Sequence, residues 1–94
     1  MEGGKQRIQE NMDELVNKID CCPLFPFFRL KKIFSQRSVN EIQQYSDKRR
    51  RNFEVLTNVY RRSASVFNSF VDVLWMSGQR DAARILKPEC VTVN

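Results

Sequence analysis

The side chains that could do chemistry in this sequence are its thiols and carboxylates, because none of the 94 residues is a histidine. The three cysteines are Cys21, its neighbour Cys22, and Cys90 near the C-terminus. A structural zinc site needs about four His or Cys ligands, which this set cannot supply. An odd number of cysteines without regular spacing is also a poor disulfide framework. We therefore expect reduced thiols and no bound metal.

The carboxylates do not indicate an active site either. Glu10, Asp13 and Glu14 lie close together, but they alternate with basic residues on one predicted helix, which is typical of a solvated face. The sequence has no Gly-rich phosphate loop, and it has no histidine to serve as a general base or nucleophile partner. We expect no enzyme activity, no cofactor and no small-molecule substrate.

The charged feature that needs an explanation is the basic run Lys48-Arg49-Arg50-Arg51, in a chain whose net charge is +5. The run lies in the first turn of a predicted helix, where cations oppose the helix dipole at about 0.3–1 kcal/mol each at low salt. An acidic partner would explain the run, both by direct pairing and by steering the encounter. The alternative is a solvated basic face that serves solubility.

A second basic group lies around the second predicted helix and consists of Arg29, Lys31, Lys32 and Arg37. This group either widens the first basic group or forms another contact surface. Nucleic-acid binding is the alternative function for a basic helix in a helical bundle. The modest net charge and the absence of aromatic residues interleaved with the basic ones disfavour it.

The elements that must position these residues are helices. The composition is that of an ordinary globular chain, and its length fits a single domain over residues 1–94. No apolar run approaches the ~20 residues of a membrane span, and the N-terminus lacks the apolar core of a signal peptide. We expect a cytoplasmic protein without a membrane-surface role, because the apolar faces of the basic helices are needed for the core.

Apolar residues at helical spacing predict six helices in an antiparallel bundle, with a helical core over about 5–87 and a tail over 88–94. The first helix spans Lys5–Asp20, and the second lies within Leu24–Phe34. Caps are predicted at Ser35, at Ser46 or Asp47, and at Gly78. The expected apolar stripes are Phe27, Leu30 and Phe34; Val39 and Ile42; Phe53, Leu56, Val59 and Tyr60; Phe67, Phe70, Val71 and Leu74; and Ala82, Ala83 and Leu86.

Three segments together resemble the caspase recruitment domain (CARD), a member of the death-fold superfamily. Lys32–Ile42 is similar to the junction of the second and third helices of that family, and Arg61–Gln79 is similar to its basic turn, Phe-x-x-Phe-x-x-x-Leu helix and Ser-Gly-Gln turn. Asp81–Leu86 resembles its short sixth helix. The chain departs from the family at Ser63, where a glycine is common. Order and spacing over nearly the whole chain carry the resemblance, since each motif alone is weak.

The resemblance implies a six-helix death fold whose function is homotypic recruitment in apoptotic or innate-immune signalling. In such domains, basic residues at the start of the fourth helix and on the first helix form one side of a charge-matched interface. Here those positions are Lys48, Arg49, Arg50 and Arg51, with Lys5, Arg7 and Lys18 on the first helix. The implied partner is another CARD-containing protein with an acidic surface, or a second copy of the chain.

Trp75 is the last candidate for partner binding. It follows the apolar stripe of the fifth predicted helix and is followed by Met76. If the two are exposed, they form an interaction hot spot, since Trp anchors dominate many interfaces. The alternative is that Trp75 packs at the edge of the bundle, four residues after Val71.

Overall fold

A computed structural model describes residues 2–88, and it describes side chains from residue 5 onward. Over this range the chain is all-helical and forms a bundle of seven α-helices. The helices are α1 (Glu2–Glu10), α2 (Met12–Lys18), α3 (Phe25–Leu30), α4 (Gln36–Gln43), α5 (Lys48–Tyr60), α6 (Ala64–Met76) and α7 (Arg80–Leu86), and a 3₁₀ helix at Cys22–Leu24 leads into α3. The all-α class is confirmed. Most of the predicted tail, including Cys90, lies outside the described residues.

The predicted first helix is two helices, and this accounts for seven rather than six. The break is at Asn11, whose backbone has φ −114° and ψ 17°. Its side-chain amide donates to the carbonyl of Arg7 at 2.9 Å, the kind of local hydrogen bond by which Asn competes with helical geometry. Helical hydrogen bonding resumes directly after the break, since the Leu15 N–H donates to the Asn11 carbonyl at 2.9 Å. The second part ends at Lys18, two residues before the predicted end.

The predicted caps are confirmed. The Ser38 N–H donates to the Ser35 hydroxyl at 3.2 Å. Of the two candidates before α5, Asp47 is the cap, since its carboxylate accepts from the Arg50 N–H at 3.1 Å. Gly78 ends α6 with φ 87°, a left-handed backbone that glycine adopts without steric cost.

The turn after α6 is also hydrogen-bonded to the end of α2. The side-chain amide of Gln79 accepts from the Asp20 N–H and donates to the Asp20 carbonyl, both at 2.8 Å. These two bonds satisfy backbone groups just beyond α2, and they connect the end of α2 to the connection between α6 and α7. Lys18, near the end of α2, consequently lies beside the start of α7.

The apolar register of α3 differs from the prediction. Phe25 and Phe28 are buried, whereas Phe27 is half-buried and Leu30 is 73% exposed. The ring of Phe28 packs against those of Phe25, Phe34 and Phe70, with centroids 5.6, 4.9 and 6.1 Å away. Because the 3₁₀ helix runs directly into α3, the residues that face the core are Leu24, Phe25 and Phe28. The predicted stripe was therefore wrong at Leu30, while Phe34 is buried and the half-buried Phe27 packs against the core.

The inner face of α5 is also shifted from the prediction. Its buried residues are Asn52, Val55, Leu56 and Val59, at i, i+3, i+4 and i+7. Phe53, predicted to be in the core, is 43% exposed, and Tyr60 is exposed as well. The predicted inner faces of the remaining helices are confirmed, except that Phe67 is only half-buried and Val73 is added. They comprise Val39 and Ile42 of α4; Phe70, Val71 and Leu74 of α6; and Ala82, Ala83 and Leu86 of α7.

α5 lies at the centre of the bundle and packs against α1, α2, α4 and α6. The basic run thus begins a helix that several neighbours hold in place. Within residues 2–88, no helix has both the length and the apolar character needed to cross a bilayer.

Candidate protein-interaction surface

The four basic side chains at the start of α5 have different surroundings. Lys48 and Arg49 are exposed, and neither forms an ion pair with any acidic residue that the structure describes. The Asp47 carboxylate is occupied with the backbone N–H of Arg50. The charges of Lys48 and Arg49 are therefore available to a partner.

Arg50 is exposed but held in place by its own helix and the preceding loop. Its Nε donates to Glu54 at 3.0 Å, and its guanidinium lies over the ring of Tyr45 at 4.7 Å. The hydrogen bond to Glu54 is the main reason that the pKa of Arg50 is raised. Arg50 therefore presents an ordered guanidinium whose charge is already shared with one carboxylate.

Arg51 turns toward its own chain. Its Nη1 donates to the backbone carbonyls of Tyr45 and Ser46 at 2.8 and 3.3 Å, and the side chain is half-buried. These bonds close the loop between α4 and α5 onto the first turn of α5. Of the four predicted residues, Arg51 is thus the least available to a partner and the most important for the local backbone.

Asn52, which sequence reasoning missed, anchors this end of α5 to α2. It is fully buried, and its Nδ2 donates to the carbonyls of Val16 and Ile19 at 2.8 and 2.6 Å. The carbonyls at the end of a helix have no partner within the helix, so an outside donor is needed when they are buried. The sequence indicates this role of Asn52 only by its spacing, since it precedes the apolar residues Val55, Leu56 and Val59 at i, i+3, i+4 and i+7.

Cys21 adds a second buried group near the same junction. Burial raises the pKa of its thiol, and the Arg51 guanidinium beside it partly offsets that effect. Cys22, the next residue, is exposed. The two neighbouring thiols therefore have opposite surroundings, and the buried one belongs to the packing around the start of α5.

An exposed aromatic ring lies next to the free cations. Phe53 is one helical turn after Arg49, so the two side chains are neighbours on the helix surface. Arginine and aromatic residues are the types enriched in protein interfaces. We call the group Lys48, Arg49, Arg50 and Phe53 the α5 surface. The sequence had suggested its cations, but it had placed Phe53 in the core.

The structure places Arg7 and Lys18 at opposite ends of α5. Asn52 contacts the end of α2, while the Lys5 Nζ lies 5.8 Å above the ring of Tyr60 at the other end of α5. The α1–α2 segment therefore runs antiparallel to α5, and Arg7 is exposed near the far end of α5. Lys18 is exposed at the end of α2 that Asn52 ties to α5, and it lies beside the connection between α6 and α7.

Trp75, near the end of α6, shows features of both predicted roles. Its ring is half-buried and packs against the core, as expected for the edge of the bundle. Two guanidinium groups lie over the Trp75 ring, with the Arg80 carbon 4.9 Å and the Arg84 carbon 5.6 Å from the ring centroid. Met76 beside it is 51% exposed. Trp75 is thus an ordered cation–π site, with exposed neighbours rather than an exposed ring of its own.

Comparisons of this chain with protein-family models, with curated proteins and with solved structures found no match.

Proposed function

We propose that this chain is a protein-interaction module of the CARD type, which recruits another CARD-containing protein with an acidic surface in apoptotic or innate-immune signalling. The all-helical bundle and the CARD-like order of motifs support the kind of module. The observation that carries the proposal is the exposure of Lys48 and Arg49, without an ion pair to any described acid, beside the exposed ring of Phe53.

The energetics of α5 favour a partner over a purely solvated face. Beyond the Asp47 cap, whose carboxylate favours the helix dipole, its first turn contains no acidic residue, and several cations there oppose the dipole. An acidic partner would relieve this repulsion and would accept bidentate hydrogen bonds from Arg49. Phe53 would add apolar contact area at the same place, and Arg50 would need little reordering because Glu54 and Tyr45 already hold it.

The charge distribution favours a separate partner over a second copy of this chain. The acidic candidates on the chain are scattered over several helices, and they are Asp13, Glu14, Glu41 and Asp72. Glu41 is also paired with Arg37 at 3.6 Å. No group of described acids matches the density of the basic run.

The alternative of nucleic-acid binding has less support. Such binding depends on the number of cations that can neutralise phosphates. Of the four cations that open α5, Arg50 is shared with Glu54 and Arg51 is turned to backbone carbonyls. This leaves two fully available charges at the start of α5, and the described residues of that helix present no row of aromatic side chains for base stacking.

The test compares wild type with the Lys48→Glu/Arg49→Glu variant in binding to a purified CARD whose surface is acidic, measured by titration calorimetry. The matched control is Arg61→Glu/Arg62→Glu, which makes the same charge change at exposed positions just after the far end of the same helix. The proposal expects binding by wild type and control, loss in the α5 variant, and recovery when acids on the partner are reversed to lysine.

Light scattering of each protein alone reports on self-recruitment. If wild type and control assemble and the α5 variant does not, the partner is a second copy of the chain. Equal binding by all three proteins, or binding by none of them to acidic CARDs, would overturn the proposal. Binding to labelled duplex DNA that weakens steeply with salt, and that both variants weaken equally, would support the nucleic-acid alternative instead.

A further inference from the structure

The end of α3 exposes an apolar ridge that the core does not use. Leu30 has the highest exposed fraction of the large apolar side chains that the structure describes. Pro26, one turn earlier, is also exposed, whereas Phe27 between them is half-buried and packs against the core. The helix cannot rotate to bury this ridge, because Phe25 and Phe28 on its other side are packed in the ring cluster.

Cations flank the ridge. Arg29, Lys31 and Lys32 are exposed, and none forms an ion pair with an acid in the described part of the chain. Residues 21–40 contain four basic residues and no Asp or Glu. We call the group Pro26, Phe27, Arg29, Leu30, Lys31 and Lys32 the α3 surface.

The backbone that ends α3 is strained at one of these cations. Lys32 has φ 57°, a left-handed conformation in which glycine is favoured over residues with a Cβ. It sits in the turn in which the Ile33 N–H donates to the Phe28 carbonyl at 2.8 Å. A lysine at a position suited to glycine is a local conflict of the kind that collects at functional surfaces.

We propose that the α3 surface contacts anionic membranes. In this arrangement the side chain of Leu30, with the exposed Pro26 beside it, enters the boundary between head groups and acyl chains, and the three cations pair with anionic head groups. Apolar side chains ringed by Lys and Arg are the pattern of interfacial membrane binding. The expectation of no membrane-surface role assumed that the core uses every apolar face of the basic helices, and Leu30 shows that it does not.

The composition of the surface favours a membrane over a protein. Protein interfaces are depleted in Lys, and Leu is under-represented among their hot spots. Two of the three cations here are lysines, whose compact charge needs no fixed partner geometry. A fluid layer of head groups supplies such diffuse negative charge. The proposal is independent of recruitment through the α5 surface, since it uses none of the same residues.

The test is co-sedimentation of the full chain with vesicles of phosphatidylcholine alone and of an equimolar mixture with phosphatidylserine. Wild type is expected to bind only the mixed vesicles. Each lost cation weakens such binding about fivefold, so Lys31→Gln/Lys32→Gln is expected to weaken it about 25-fold. Leu30→Ser is expected to weaken it about tenfold through lost insertion. The control Arg61→Gln/Arg62→Gln removes the same charge elsewhere and is expected to bind nearly as wild type.

Circular dichroism checks that all variants fold, as their exposed positions predict. No binding of wild type to the mixed vesicles overturns the proposal. Equal weakening by the Lys31/Lys32 and Arg61/Arg62 variants overturns it too, because the net charge alone would then explain binding. Full binding by Leu30→Ser excludes insertion. If vesicles do not bind but Leu30→Ser abolishes self-association in light scattering, the surface is a protein interface.

Discussion

Three cations are exposed at the start of α5 and three at the end of α3, yet the two groups are held in different ways. At the α5 surface, Arg50 is fixed by Glu54 and Tyr45, and the backbone beneath is fixed by Asn52. The cations of the α3 surface have no described acidic partner, and in this they resemble Lys48 and Arg49 but differ from Arg50. The ordered guanidinium of Arg50 suits a partner with defined geometry, whereas the two lysines of the α3 surface suit a diffuse anionic surface.

The two surfaces also differ in how their helix is joined to the core. α5 is long, begins at an Asp47 cap, and is tied to α2 by a buried amide. α3 has six residues, and the structure shows no buried side-chain hydrogen bond that ties it to another of the described helices; its rings of Phe25 and Phe28 are packed in the core. A buried polar anchor is therefore added to apolar packing at the first surface, whereas aromatic packing positions the second.

The largest effect is expected within α3, where neighbouring apolar side chains have opposite roles. Phe28→Ala is expected to lower the free energy of unfolding by about 3–5 kcal/mol, because it leaves a cavity among three rings. Leu30→Ala is expected to change it by less than about 0.5 kcal/mol, since Leu30 is exposed. Urea denaturation of both variants measures this. A cost above about 1 kcal/mol for Leu30→Ala would place the ridge in the core.

The next largest effect is expected from the amide that anchors α5. Asn52→Ala leaves the carbonyls of Val16 and Ile19 buried without their donor, and is expected to cost about 2–4 kcal/mol of unfolding free energy. Asn58→Ala is the control, because its amide donates only to the carbonyl of Glu54 in the same helix. Its cost is expected to stay below about 1 kcal/mol. Equal costs in urea denaturation would contradict an anchoring role.

Local chemistry made part of this architecture predictable. The caps at Ser35 and Asp47 and the turn at Gly78 follow from residue type, and the inner face of α6 follows from its clear i, i+3, i+4, i+7 spacing. The register of α3 could not be predicted in the same way. Aromatic residues occupy so many of its positions that several faces look equally apolar, and only packing against Phe34 and Phe70 decides among them.

The candidate site was predictable in its charges but not in their orientation. The basic run was evident, but the partners of Arg50 and Arg51 lie on another turn of α5 and in the preceding loop. A search for apolar periodicity also misses Asn52, because asparagine is polar. Without Asn52 on the inner face of α5, the prediction placed Phe53 in the core instead. Tertiary hydrogen bonds to helix-end carbonyls leave no periodic trace in the sequence.

A smaller effect should separate two adjacent arginines of α5. Arg51→Met removes the donors to the carbonyls of Tyr45 and Ser46, and is expected to cost about 1–3 kcal/mol of unfolding free energy. Arg49→Met makes the same change at an exposed side chain and is expected to cost less than about 0.5 kcal/mol. In partner binding the order should reverse, with Arg49→Met the weaker binder. A stable Arg51→Met protein would mean that the loop is closed by other contacts.

At the end of α3, a gain in stability is expected. Lys32→Gly relieves the left-handed backbone and is expected to raise the free energy of unfolding by about 0.5–1 kcal/mol. Lys31→Gly removes the same charge where φ is −89°, so it relieves nothing and should be neutral or slightly destabilising. Thermal unfolding compares the two. If Lys32→Gly destabilises the protein, the lysine side chain makes a stabilising contact that outweighs the strain.

The smallest expected effect is a pH dependence of the free energy of unfolding that comes from the Cys21 thiol. Burial raises the pKa of Cys21 above its ordinary value of 9.0, although Arg51 partly offsets this. The unfolded thiol thus loses its proton first, so stability from this group is complete below pH 9.0 and falls as pH rises from there through the folded pKa. Cys21→Ala is expected to lose less stability than wild type between neutral pH and about pH 10. Urea denaturation of both proteins at the two pH values measures this difference. An identical pH dependence in wild type and Cys21→Ala would show that Arg51 fully compensates burial, which would extend its role from the α4–α5 loop to the segment that leads into α3.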